Sequence, residues 1–78
     1  MNNENGYYKR LKEEQAELSG RISALSFFIN VAPRYKELST NHKRLLCLQL
    51  EFMKGYLLIL DLRIEDIEKG SADDEIHK

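Results

Sequence analysis

Only one cysteine, Cys47, occurs in the 78 residues, so no disulfide can close within the chain. The two histidines, His42 and His77, lie far apart with no ligand-like spacing around them, which leaves no metal site to stabilise a small fold. Glycine occurs four times without forming a phosphate-binding loop, and no nucleophile elbow or metal-binding helix motif appears. The carboxylates near the C-terminus fall at helical steps that leave them solvated, with no base or metal ligand beside them. These absences argue against an enzyme and imply no cofactor. Apolar runs are short as well, because charges interrupt them every few positions; none is long enough to cross a bilayer, and no secretory signal opens the chain. The formal net charge of −1 removes whole-molecule attraction to nucleic acid or to an anionic membrane. A soluble cytoplasmic protein is the expectation.

What is present is helical rhythm. The single proline, Pro33, divides the chain, since it lacks an amide donor and pushes the preceding residue out of helical geometry. Before it, Tyr8, Leu11, Gln15, Leu18, Ile22, Leu25, Ile29 and Ala32 recur at steps of three and four. After it, Leu46, Leu50, Met53, Leu57, Leu60, Ile64 and Ile67 do the same. Two seams joined by a short connection predict an antiparallel hairpin. The expected boundaries are a frayed segment over 1–5, a hairpin domain over 6–69 and an acidic tail over 70–78. Within the domain we expect one helix over about 7–31, a turn over about 32–39 and a second helix over about 40–69. Asn30 is a candidate cap for the first helix, Ser39 or Thr40 caps the second, and Gly70 suits a left-handed C-terminal cap. Gly20 and Gly55 interrupt the helices at a cost of about 1 kcal/mol each, which suggests close helix crossing. Antiparallel return also brings Lys9, Arg10 and Lys12 beside the acidic end of the second helix.

The second helix carries more apolar surface than one partner covers. Leu45, Leu48, Phe52, Tyr56 and Ile59 form another stripe about a quarter-turn from the seam, and Phe27 and Phe28 cannot both enter it. A chain this small has a thin core, and oligomerisation is a common remedy. The fold class is therefore all-α: an antiparallel two-helix hairpin assembling into a homo-oligomeric helical bundle, with those seven residues at its interface.

Charge is unevenly placed. From Pro33 to Arg44 four bases stand against Glu37, a net +3, whereas seven acids stand against Arg63 and Lys69 from Asp61 to Glu75, a net −5. The basic turn is the candidate ligand site. Arg34, Lys36, Lys43 and Arg44 suit phosphates, Tyr35 suits stacking, and Ser39, Thr40 and His42 offer hydrogen bonds at a helix start whose free amides favour an anion. Two such turns brought together in an oligomer would form a pocket that one lacks.

The order Arg10-Leu11-Lys12-Glu13-Glu14, Phe28-Ile29, a short turn, Leu38-Ser39, Leu45-Leu46, Gln49-Leu50, Met53, Tyr56, Ile59-Leu60 and Arg63-Ile64 resembles a family of small phage and prophage proteins. Its members are known only as relatives of an open reading frame of a crAss-like phage. The resemblance spans roughly residues 7–67, and Thr40-Asn41-His42 departs from the acidic residues expected after the serine, making this turn more basic. It implies a small phage accessory protein working in the infected bacterium. By looser analogy the chain is similar to helical-hairpin oligomers that sequester the cyclic nucleotide signals of bacterial immunity. The expected partners are thus a second copy of the chain and a cyclic nucleotide or ADP-ribose-type ligand. The rival is a host protein bound and inhibited by the apolar stripe; nucleic acid fits poorly, because no basic face is interleaved with aromatics.

Overall fold

The computed structural model describes residues 2–70, with side chains from Gly6 onward, and is helical almost throughout. Helix α1 runs Asn2–Asn30, a single turn α2 runs Pro33–Lys36, and α3 runs Thr40–Glu68. Helix α1 begins ahead of the start expected near Tyr7. Once a helix is nucleated each further residue adds one backbone bond, which favours extension of the helix. Met1 and the acidic tail from Ser71 lie outside the described residues.

Helices α1 and α3 pack antiparallel along a rod of 55 × 22 × 15 Å. The two seams face each other as their spacing requires. Leu11, Leu18, Leu60 and Ile64 form the buried core, with Tyr8, Ile22, Met53, Leu57 and Ile67 packed around them; Leu50 is buried nearer the turn. Leu60 is the largest fully enclosed side chain. Each fully buried leucine contributes roughly 1.5–3 kcal/mol.

Polar ties join the two helices from the middle of the hairpin to the open end, opposite the turn. The Tyr8 hydroxyl donates to Glu68 Oε2 at 2.7 Å and Gln15 Nε2 donates to Asp61 Oδ1 at 2.6 Å. The Tyr56 hydroxyl donates to the Glu14 carboxylate, and the Arg63 guanidinium donates to the Tyr7 hydroxyl. The Glu68 carboxylate holds the Tyr8 phenol above its ordinary pKa of 10.0 by accepting its proton in a hydrogen bond. The lysines were the expected partners here, yet among the described residues the only ion pair is Lys54 to Glu51 at 4.0 Å, within α3. The Tyr8 phenol and the Gln15 amide reach the α3 carboxylates instead, and Lys12 rests over the Tyr8 ring at 5.9 Å.

Three local expectations change. Gly20 and Gly55 do not mark close crossings within the chain: a Cβ added to either would meet nothing within 4 Å. Gly70 does not take a left-handed cap, since no described glycine has positive φ; Lys69 closes α3 by donating its amide to Glu65 and Ile67 carbonyls. Asn30 does not cap α1 but donates to Ser26 Oγ at 3.2 Å, and the carbonyls of Phe27 and Phe28 are taken by the amides of Val31 and Ala32. The paired phenylalanines divide: Phe28 is half-buried, while Phe27 is 62% exposed.

Candidate functional site

The turn is built by three local devices. Pro33 occupies the first position of α2, where its missing amide costs nothing. The amides of Glu37 and Leu38 then close back on Arg34 and Tyr35 carbonyls at 3.1 Å. Ser39, in extended geometry, accepts the His42 amide on its side chain at 3.0 Å and so caps α3.

Tyr35 anchors the arrangement. Its ring meets Phe28 edge-on with centroids 6.0 Å apart, and Lys43 Nζ sits over it at 5.6 Å. Its hydroxyl lies 3.6 Å from Cys47 Sγ, a contact that raises the phenol pKa. The ring expected to stack on a ligand is therefore already engaged, and it holds the Lys43 ammonium in place. Arg44 donates to Asn41 Oδ1 at 2.7 Å. Arg34, Lys36, Thr40 and His42 are exposed. The turn thus offers fixed cations, Lys43 and Arg44, beside solvent-facing ones, Arg34 and Lys36.

A profile of the Sequestin family matches residues 5–66, which takes in both seams and the whole turn. The chain belongs to the Sequestin family. Nothing among curated proteins or solved structures matches it. The family name suggests sequestration and identifies no partner. In this Sequestin the expected interface residues Leu45, Leu48, Phe52, Tyr56 and Ile59 are all exposed, as is Phe27. Tyr56 alone among them is tied within the chain, through Glu14.

One feature escaped the sequence reading. An open recess of about 450 Å³ lies at the far end of the hairpin, lined by Tyr7, Ile59, Leu62, Arg63, Asp66 and Ile67. The Arg63 guanidinium stands over the Tyr7 ring at 5.7 Å. No spacing rule links Tyr7 to Arg63; only the antiparallel return joins them. Among the described residues no group of three or more potential metal ligands comes together, and no helix is long and apolar enough to cross a membrane.

Proposed function

We propose that this Sequestin is a non-enzymatic phage accessory protein that blunts host defence by binding and holding a nucleotide-type immune signal. The binding element is the basic turn, completed by a second copy of the chain. Membership of a family named for sequestration carries the reading, and the chemistry of the turn gives it a ligand class. Arg34, Lys36, Lys43 and Arg44 put four cationic residues on the short stretch that leads into a capped helix start, which favours phosphates. The Tyr35 ring keeps Lys43 in position, while Ser39 shapes the helix start and Thr40 and His42 face solvent as hydrogen-bonding groups. Binding without turnover suffices to lower the free concentration of a signal.

Native mass spectrometry with cyclic di- and trinucleotides and ADP-ribose derivatives tests this. The expected result is a fixed number of nucleotides per oligomer, lost when Arg34→Glu and Lys36→Glu are combined, with the subunit count unchanged. An oligomer that retains none of the panel would refute the ligand class. The second reading, a module that inhibits a host protein, draws on the exposed apolar stripe of α3 and gains if the chain is monomeric at micromolar concentration.

A further inference from the structure

The outer face of α3 has a pattern of its own. Leu45, Phe52 and Ile59 alternate with Leu48, Gly55 and Leu62 at steps of three and four, the a and d positions of a heptad repeat. All five apolar members are exposed; among the described residues Phe52 is the most exposed large apolar one at 76%, and Gly55 opens onto empty space. The repeat spans roughly 26 Å of helix. It is independent of the seam that faces α1.

We infer that this face is a two-fold, antiparallel interface with a second copy of the chain, in which each Phe52 packs against the partner's Gly55. Residue sizes decide the orientation. In a parallel pair equal positions meet, giving one layer of two phenylalanines and another of two glycines. In an antiparallel pair each a position meets a d position, so Phe52 fills the space over the partner's Gly55 twice, and every layer holds comparable volume. Leu48 then meets the partner's Ile59, and Leu45 meets the partner's Leu62, at the rim of the partner's open recess.

Charge selects the same orientation. Arg44 and Glu65 flank the stripe on the same side, at equivalent heptad positions, so the antiparallel pair sets Arg44 beside the partner's Glu65 at both ends. A parallel pair would place Arg44 near the partner's uncharged Gln49. The glycine that lacks a neighbour within the chain thus acquires one across the two-fold axis.

This pairing deepens the proposed function, and rests on it in one respect: it names what completes the turn. The start of each α3 lies beside the end of the partner's α3, so the basic turn of one copy adjoins the partner's Arg63 and its recess, Asp66 included, rather than the other turn; Arg44 is then engaged by the partner's Glu65, and Arg34, Lys36 and Lys43 are the cations left for phosphates. Pairing itself needs no ligand and is read without one.

The test combines sedimentation with directed cross-linking in a Cys47→Ser background. Wild type should sediment as a dimer or an even multiple of one at micromolar concentration. Phe52→Glu should shift it to a lower species at unchanged helical circular dichroism. Under mild chemical oxidation, a mixture of Leu48→Cys and Ile59→Cys chains should cross-link at least tenfold faster than either chain alone. Self-cross-linking of Leu48→Cys chains would mean parallel pairing and overturn the orientation. A monomeric wild type, or a Phe52→Glu variant that keeps the wild-type assembly, would overturn the interface. Nucleotide binding plays no part in these readouts, so the ligand can fail while the pairing stands.

Discussion

Helix α3 presents two apolar faces with opposite fates. On one, Leu50, Leu60 and Ile64 are buried, while on the other Leu45, Leu48, Phe52 and Ile59 stand in the open. The side chains on the two faces are of similar kind, so hydrophobicity alone does not decide burial. What differs is the partner. Helix α1 brings one matching seam and covers one face, and α2 is a single turn at the hairpin's end, too short to cover the other. An apolar face left over after a hairpin closes is a surface for a further helix, and in an oligomer that helix comes from another copy.

The largest effect that tests this contrast is on stability. In the dissociated Phe52→Glu background, Leu60→Ala should cost about 2–5 kcal/mol, because it empties an enclosed site. Leu58→Ala, on an exposed position, should stay within about 0.5 kcal/mol. Urea denaturation of both variants reads the difference; equal losses would mean that the two faces are not distinct in solution.

The glycines sharpen it. Gly20 and Gly55 both have room for a methyl group within the chain, so alanine at either should stabilise the isolated hairpin by roughly 0.5–1 kcal/mol. Only Gly55→Ala should also weaken self-association, since it fills the space that Phe52 of the neighbouring copy occupies. Thermal melts at low concentration, paired with sedimentation at higher concentration, separate the two effects. Equal association by both variants would remove Gly55 from the interface.

The smallest effect concerns the ties at the open end. Glu68 raises the Tyr8 pKa in the folded state. A group whose folded pKa lies above its unfolded value adds stability that is fully present below the unfolded value, near 10.0, and is lost as pH rises through the folded one. Tyr8→Phe should therefore flatten part of the stability loss above pH 10 while changing neutral stability little, as expected for an exposed hydrogen bond. Alkaline denaturation curves that superimpose for wild type and Tyr8→Phe would sink this assignment.

Much of the hairpin was legible because the period of apolar residues maps directly onto helical faces. Every seam position, from Tyr8 to Ala32 and from Leu46 to Ile67, is buried or half-buried. Pro33 and Ser39 act at the turn as their chemistry requires. The candidate site was less legible. The basic residues announce themselves by charge, but the engagement of Tyr35 with Phe28, Lys43 and Cys47 depends on where α2 sets that ring against both helices. The acidic end misled for a related reason. Sequence charge predicts ion pairs with Lys9, Arg10 and Lys12, whereas the partner is chosen by which side chain points across the groove, and there Tyr8 and Gln15 reach the carboxylates.

By itself the sequence determined the helices, their break and the faces that meet, because these follow from local backbone chemistry and from a period of about 3.6 residues per turn. Only the tertiary structure decided which glycines lack neighbours, which face of α3 stays uncovered, and that Tyr7 and Arg63 share a recess. Those facts depend on where two distant segments lie in space, which local pattern cannot encode.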